Sequence, residues 1–584
     1  MTSARLGAAP FVLLDDQREN GRALVYSGPT EVVETSDPDR VRLCLARLAG
    51  RHAAGFIGYE AGHSLEPKLA PLRHPPPPDG PPLLWFGLFA GPPEEVDAAT
   101  LLPAAQGAWA GPPRPLIDRA AYEAAVAEVK SRIEAGDIYQ ANLTFPAEVA
   151  CAGHPLALYA AMRRRARAGH GGIVYTGAHW ILSFSPELFF ESDGGRIVTR
   201  PMKGTARRGA GRSADEAAAA ALREDPKQRA ENLMIVDLLR NDLSRVSRPG
   251  TVKVPALFAV ETYPTVHQMT STVTAELEDG VGPAAILEAI FPCGSITGAP
   301  KIRATEIIHE IERAPRGVYT GAIGRLAPGG EAGFNVAIRT LTLKSGAARA
   351  ILGLGSGIVA DSRAGDEWRE CLAKGAFVAD PERSFDLIET MRFDPQEGLP
   401  DLDRHLARLK GSAEALGFAF DRHHARNELQ AATFRLAGAS RVRLLLSRGG
   451  AIAIEIRPLE PPPREPVAVA VAPLPVAAED FRLAHKTSDR SFYDEARSAS
   501  GAFEIVFTDE AGFLTEGSFT TVFVERRGRL ATPPLSRGLL PGVLRRRLID
   551  EGRAAEADLV AADLVDGFLI GNAVRGLLRA RLAS

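Results

Sequence analysis

The chain has 584 residues, a length that suggests about three to five structural units rather than one core. Its 69 Lys+Arg against 72 Asp+Glu leave a formal net charge of -3, with 24% charged and 45% hydrophobic residues; this reads as a soluble globular protein and gives no electrostatic basis for nucleic-acid binding. Cys44, Cys151, Cys293 and Cys371 show no CxxC spacing, so neither a zinc cluster nor a disulfide framework is indicated and a reducing cytosol is expected. Residues 1–10 lack a basic segment followed by an apolar core, and no apolar run reaches the roughly 18 residues of a membrane helix, so a cytoplasmic protein without membrane contact is expected.

Over residues 11–118, short apolar runs such as Phe11-Val12-Leu13-Leu14 and Gly55-Phe56-Ile57-Gly58-Tyr59 alternate with turn residues, the pattern of sheet. His74-Pro75-Pro76-Pro77-Pro78-Asp79-Gly80 can continue neither helix nor ladder and predicts an exposed loop. Residues 119–135 then place Tyr122, Val126, Val129 and Ile133 at helical spacing, with Gly136 as the stop. Residues 181–190 read as strand, turn and strand. Glu187 within them enters an apolar neighbourhood, where desolvation would raise its pKa toward that of a general acid, or it is a turn glutamate facing water.

Thr199-Arg200-Pro201-Met202-Lys203-Gly204-Thr205-Ala206-Arg207-Arg208-Gly209 sets one lysine among three arginines, beside glycines that let backbone approach a ligand. A lysine amine is nucleophilic near neutral pH only if burial or nearby cations lower its pKa. Arg200, Arg207 and Arg208 are the expected neighbours, and a solvated basic loop is the plain alternative. Residues 213–223 read as an alanine-rich surface helix, and residues 231–243 as a core helix opened by Glu231, with Leu233, Val236 and Leu239 or Leu243 on its inner side. The glycine-rich turn at residues 291–301 lacks nucleotide-loop spacing. Its Pro300 suits the first turn of a helix running to Glu312, whose free amides would take a carboxylate or a phosphate. Further on, Glu367 and Glu370 share one helix face; joined by Glu231 they would suit Mg²⁺, while a solvated acidic face is the usual meaning of such a pair.

Glu187, Lys203, GDIYQANLT (residues 136–144), the helix from Ala230 to Leu243, GSITGAPK (294–301), Ala337-Ile338-Arg339-Thr340 and GLGSGIVADS (353–362) fall in one ordered region. Together they resemble the chorismate-utilising enzymes over roughly the first two-thirds of the chain. Pro201-Met202-Lys203-Gly204-Thr205 is similar to the branch called aminodeoxychorismate synthase component I, whereas anthranilate synthases generally carry alanine at the lysine position. The resemblance implies an α+β fold of antiparallel sheets packed with helices, with chorismate as substrate. In it Lys203 adds at C2, Glu187 protonates the departing C4 hydroxyl, and ammonia then adds at C4 and displaces the lysine. It also implies Mg²⁺ on Glu231, Glu367 and Glu370, the enolpyruvyl carboxylate on Tyr319 and Arg339, and a ring site that includes His267, Thr297, Gly355 and Gly357. Gln228 stands where members often have glutamate, which implies weaker Mg²⁺ binding. No cysteine lies in a glycine-flanked elbow, so ammonia is expected from a separate glutamine amidotransferase subunit.

The motifs stop at residues 377–383. The expected parts are thus an N-terminal sheet subdomain (1–118), a chorismate-binding region (119–378) and a third domain (384–584) divided near 460–465 by Pro461-Pro462-Pro463. The third domain carries Ala484-His485-Lys486-Thr487-Ser488-Asp489-Arg490, Leu514-Thr515-Glu516-Gly517-Ser518 and Leu539-Leu540-Pro541-Gly542-Val543-Leu544-Arg545. A lysine for a Schiff base, a glutamate for a pyridinium nitrogen, and an arginine with a helix N-terminus for a phosphate make a pyridoxal 5'-phosphate site, although each piece alone is a common surface residue. In this order they resemble the class IV aminotransferase family, which includes branched-chain aminotransferases and aminodeoxychorismate lyase and has a two-subdomain fold of type IV. By that match Lys486, Glu516, Arg408 and the backbone of Val543 and Leu544 take these roles, Asn572 is a further phosphate candidate, and Thr521 replaces a frequent asparagine. A homodimer through this domain is among the assemblies the resemblance allows.

The fusion chooses between transamination and lysis. The first half would make aminodeoxychorismate, and the second would expel pyruvate from it to leave 4-aminobenzoate for folate synthesis. The rival readings are an anthranilate-type synthase joined to an ordinary aminotransferase, which Lys203 opposes, and a synthase or sensing scaffold with a non-catalytic second half, which Lys486 and Glu516 oppose.

Overall fold

The computed structural model describes Leu6 and residues 9–18, 21–262, 266–380 and 382–583. They form two compact units: Met1–Pro103, Pro112–Val149 and Tyr159–Ala379 make the first, and Ala104–Gly111, Ala150–Leu158 and Asp380–Ser584 make the second.

The first unit is built on two large sheets with helices against them. One sheet runs from Gly298–Ala299 through Gln140–Ala152, Arg349–Ile358, Thr340–Lys344, His179–Ser185, His170–Tyr175, Phe11–Asp15 and Ala23–Ser27 to Glu94–Val96. The other runs from Met202–Arg207 through Val266–Glu276, Arg196–Arg200, Leu188–Asp193, Glu331–Val336, Ala322–Leu326, His52–Ile57 and Leu84–Phe89 to Glu31–Thr35. The residues before Asp118 therefore do not form a sheet of their own. Phe11–Asp15 pairs with His170–Tyr175, and His52–Ile57 pairs with Ala322–Leu326, so early and late strands close common cores. Phe86, Phe189, Phe190 and Phe334 lie in one such core with Ile235, Leu239 and Leu243.

Asp118 caps the helix Arg119–Glu134 by accepting from the Ala121 amide at 2.8 Å; Tyr122, Val126 and Val129 are buried, and Gly136 follows at φ +80°. The helix expected to open at Glu231 opens earlier. It spans Pro226–Ser244, and Asp225 accepts from the amides of Lys227 and Gln228. An aspartate before a proline at the first helical position is a strong start, and it places Glu231 inside the helix. The buried stripe becomes Asn232, Ile235, Val236, Leu239 and Leu243, while Leu233 is 43% exposed. Pro300 likewise sits at the N-cap of Lys301–Ile311 rather than in its first turn.

In the second unit a three-stranded sheet, Leu387–Phe393, Ser440–Leu446 and Ile452–Pro458, precedes an eight-stranded sheet that starts with Val467–Pro473. Trp109 and Ala150 belong to this unit because they pack in one core with Phe385, Phe418 and Phe481. Cys44, Cys151, Cys293 and Cys371 are all buried. Among the described residues no helix is long and apolar enough to cross a membrane.

Two candidate active sites

In the first unit, Met202–Arg207 pairs with Val266–Glu276 with a register shift between Met202 and Thr205, at Lys203 and Gly204. Gly204 has φ +96°, a conformation open to glycine, and a Cβ there would meet Gln228 Oε1 at 3.1 Å. The irregularity frees Lys203 from strict strand alternation. Desolvation lowers the pKa of its amine first, then the charge of Lys374, while Glu187, Glu231 and Glu370 act in the opposite sense. The expected arginine neighbours are engaged elsewhere. Arg200 pairs with Glu261, Arg208 grips Asp215 at 2.7 and 2.6 Å, and Arg207 is exposed.

Glu187, in the turn between His179–Ser185 and Leu188–Asp193, is buried. Desolvation raises its pKa, while hydrogen bonds from the Ser295 hydroxyl and the Met202 amide and the charge of Lys203 restrain the rise. An acid inclined to hold its proton thus stands beside an amine inclined to lose its own.

Gly353, Gly355 and Gly357 share one face of Arg349–Ile358 by strand alternation. A Cβ on Gly353 would strike the Tyr319 ring at 2.1 Å; on Gly355, Leu143 O and Thr144 Cγ2 at 2.7 Å; on Gly357, Gln140 Nε2 at 2.7 Å, with Lys203 Nζ 3.5 Å away. Glycine here lets side chains close over the strand.

Desolvation raises the Glu231 pKa, Glu367 and Glu370 add to the rise, and Lys203 and Lys227 oppose it. Glu367 accepts from Ser362 Oγ at 2.8 Å, and Glu370 pairs with Lys374 Nζ at 2.8 Å. Among the described residues no three His, Cys, Asp or Glu side chains converge into a closed metal cage. A Mg²⁺ ion needs none: it takes one or two carboxylates and completes its octahedron with water and substrate oxygens, so hard donors whose mutual repulsion it would relieve fit it.

His267 and Thr297 direct their polar atoms to protein groups. His267 lies 2.8 Å from Asp215 Oδ1 through Nε2 and 3.1 Å from Thr262 Oγ1 through Nδ1; Thr297 donates to the carbonyls of Cys293 and Gly294 at 3.2 and 3.1 Å. Arg339 is half-buried at φ +50° and accepts from the Phe184 amide at 3.0 Å through its carbonyl. Sequence reasoning missed Lys374, readable as the i+4 partner of Glu370, and Ser295, which lies inside a motif already singled out.

In the second unit a cavity of about 760 Å³ is lined by Lys486, Glu516, Arg408, Thr390, Val543 and Asn572. Lys486 sits against Leu387–Phe393, donating from Nζ to Thr390 Oγ1 at 3.1 Å while the Ile388 amide donates to its carbonyl at 2.8 Å. Desolvation, with Arg408 next in size, pulls its pKa down to about 7, against an opposing Glu389. Desolvation pushes Glu516 up to about 7, restrained by the Tyr493 hydroxyl, which donates to Oε1, and by the charge of Arg490.

Arg408 makes a two-point pair with Glu389 at 2.8 and 2.7 Å, and His405 Nδ1 lies 2.6 Å from the same carboxylate. Burial alone would raise the Glu389 pKa, but Arg408 and His405 hold it down at about 2. Gly542 caps Val543–Asp550 without a side-chain acceptor, and a Cβ there would stand 2.9 Å from Thr521 Oγ1. Thr521 therefore lies close against the turn before the helix. Asn572 accepts from the amides of Val574 and Arg575 at 3.0 and 2.9 Å and donates to Phe519 O at 3.2 Å, so its amide shapes a turn at the cavity wall. Buried Glu504 accepts from Ser518, Phe519 and Thr520 and fixes the loop after Glu516. A reactive amine, a carboxylate and a helix start around one cavity are the donor set that pyridoxal phosphate requires. Sequence reasoning missed Tyr493, Glu389 and Thr390; none has a local motif that signals a partner.

Residues 9–380 match the model of the chorismate binding enzyme family. The chain belongs to that family. Residues 386–583 match the amino-transferase class IV model, so both domains lie in one chain. Aminodeoxychorismate synthase of Streptomyces griseus is 44% identical over 260 residues, 44% of this chain and 36% of the relative. Aminodeoxychorismate synthase component 1 of Salmonella typhimurium is 43% identical over 247 residues, 42% of this chain and 54% of the relative. The chain thus spans only part of the length of the relatives it matches. The anthranilate synthase component I structure from Streptococcus pneumoniae superposes with a TM-score of 0.51 at 25% identity, over 63% of this chain and 92% of that one.

Proposed function

We propose that the protein is a bifunctional enzyme that converts chorismate and ammonia to aminodeoxychorismate in its first unit and aminodeoxychorismate to 4-aminobenzoate and pyruvate in its second. The observation that carries the reading is a pair of lysine amines, Lys203 and Lys486, one in each family region, both held below the ordinary lysine value by desolvation. Lys203 in place of alanine supports amination at C4 rather than at C2. Glu187 protonates the C4 hydroxyl as Lys203 bonds to C2 and both ring double bonds shift to expel water from C4; ammonia then bonds to C4, the double bonds shift back and the Lys203 bond to C2 breaks. Tyr319 and Arg339 hold the enolpyruvyl carboxylate, with Arg339 offering a two-point fork. His267, Thr297, Gly355 and Gly357 bound the ring site, His267 positioned by Asp215. Glu231 and a carboxylate of the Glu367/Glu370 helix would hold Mg²⁺, which would supply positive charge for the ring carboxylate. The ammonia comes from a separate glutamine amidotransferase, a partner implied by the component 1 relatives.

In the second unit Lys486, Glu516, Arg408 and the amides of Val543 and Leu544 would hold pyridoxal phosphate, which supplies an electron sink for the carbon bearing the substrate amine. Lys486 takes the C4 proton, and the C3–oxygen bond breaks as the ring becomes aromatic. Tyr493 orients Glu516. The test is purified protein with chorismate, ammonium, Mg²⁺ and pyridoxal phosphate, with products separated and identified. The expected products are 4-aminobenzoate and pyruvate; anthranilate in place of 4-aminobenzoate would overturn the reading.

A further inference from the structure

Arg441 and Arg457 face each other directly across two paired strands of the second unit, and Arg392 extends the row on the other side of Arg441. Like charges opposite one another in a sheet destabilise it, so such a row weakens the fold it sits in. Arg392 is relieved by Asp394 at 3.1 Å, whereas Arg441 and Arg457 have no ion-pair partner among the described residues. The nearby Glu460 is held by Arg575 at 2.7 Å and feels the charge of Arg441 only as its weakest influence, without pairing with it.

The row lies on the reactive face of the sheet. Two residues along the strands from it, Thr390 stands opposite Arg443, and Thr390 receives the hydrogen bond from Lys486 Nζ. One pleat repeat, about 7 Å, therefore separates the arginine pair from the site of the lysine amine. Arg441, Arg443 and Arg457 line the same cavity as Lys486 and Glu516. Across it Arg490 leaves Nη1 buried without a hydrogen-bond partner. The charges nearer the chemistry are already matched, Arg408 by Glu389 and Arg497 by Asp494.

We propose that the Arg441–Arg457 pair is a carboxylate seat and that, with Arg490 Nη1 across the cavity donating to the other carboxylate, it makes the second unit selective for dicarboxylic substrates. It deepens the lyase reading and rests on it only for the identity of the substrate, whose ring carboxylate lies across the ring from the C4 amine. A carboxylate between the two guanidiniums would accept charge-assisted hydrogen bonds and remove the repulsion of the empty row.

The test uses the full chain loaded with pyridoxal phosphate and follows the cofactor absorbance, which reports the second unit alone, during titration with isophthalate or with benzoate. Isophthalate is expected to bind at least about tenfold more tightly, and Arg441→Met or Arg457→Met to abolish that preference. The melting temperature of either variant without ligand should be unchanged or higher, because a like-charge contact is removed; a structural arginine would lower it. Arg441→Lys should keep part of the preference. Equal response to the two acids, no response to either, or a preference that survives both methionine variants would overturn the seat. A protein that makes no 4-aminobenzoate but prefers isophthalate would refute the lyase reading and leave the seat standing. One that makes 4-aminobenzoate with the same KM in Arg441→Met would do the reverse.

Discussion

Lys203 Nζ ends 3.5 Å from the point where a Cβ on Gly357 would stand, and Gln140 Nε2 lies 2.7 Å from the same point. Gly357 is not among the positive-φ glycines, so its backbone suits any residue and its cost of substitution is purely one of space. Gly357→Ala should therefore fold, with the methyl group pushing the Gln140 amide aside next to the Lys203 amine and filling the space in front of it. Chorismate consumption is expected to fall by at least about tenfold, since sub-ångström displacement of a reacting group is felt strongly. Steady-state assay of the purified variant checks this; wild-type kcat and KM together would show that the amine does not work at this point in the fold.

Lys203 and Glu187 should fail differently. Lys203→Ala removes the group that bonds to C2 and is expected to abolish 4-aminobenzoate, with any residual amination shifted to C2. Glu187→Gln keeps the shape and the contact with Ser295 but cannot give up a proton, so kcat should drop by about 10²- to 10⁴-fold with KM little changed. Product identification for the first and a kcat against KM comparison for the second decide. Unchanged 4-aminobenzoate output from Lys203→Ala would remove the lysine from the mechanism.

What could be read from the sequence was local. GSITGAPK, PMKGT and the Lys486 and Glu516 stretches each lie within a single turn or strand, so their residue types and spacing are visible without tertiary information. The surroundings of Lys203 were not visible. Three arginines flank it in sequence, yet Glu261 and Asp215 draw two of them away and a register shift turns the lysine toward Gly357 and Lys374. Tyr493 reaches Glu516 across 23 residues, and Glu389 reaches Arg408 across 19, distances no helical or strand period encodes. The start of the Pro226–Ser244 helix was legible as Asp225-Pro226 but was overridden by the apolar pattern further along. Interleaving of Phe11–Asp15 and His52–Ile57 with strands more than a hundred residues later is a property of the sheets alone.

Glu389 gives the second unit a pH signature. Its folded pKa of about 2 lies below the ordinary glutamate value of 4.5, because Arg408 and His405 more than offset its burial. A group with a depressed folded pKa contributes stability that is fully present above its unfolded value and is lost as pH falls through the folded value. Here the loss runs from about 4.5 down to about 2. Glu389→Gln leaves the Arg408 guanidinium buried without a counter-charge and should destabilise the unit by about 3–5 kcal/mol at pH 7. Because a protonated glutamate resembles glutamine, the gap between wild type and variant should narrow steadily below pH 4.5. Urea titrations of the full chain at pH 7, 4 and 3 check this; a gap independent of pH would mean that packing rather than charge holds the pair.

The two chemistries should separate cleanly at Lys486. Lys486→Ala removes the amine that holds the cofactor and takes the C4 proton, while the groups around Lys203 are untouched. With ammonia and Mg²⁺ supplied, chorismate should then be consumed at the wild-type rate, with aminodeoxychorismate accumulating in place of 4-aminobenzoate, and a separately added lyase should restore the product. The amine pKa of about 7 adds a second expectation. Cofactor loading of the wild-type protein needs a neutral lysine, so its rate should fall as pH drops below 7 and level off above it, well before the ordinary lysine value of 10.5. Stopped-flow absorbance of the apoprotein mixed with pyridoxal phosphate measures this from about pH 5 to about pH 9, roughly two pH units either side of that pKa. A loading rate still climbing at pH 9 would mean an unperturbed lysine. An intact 4-aminobenzoate rate in Lys486→Ala would move the lyase step out of the second unit altogether.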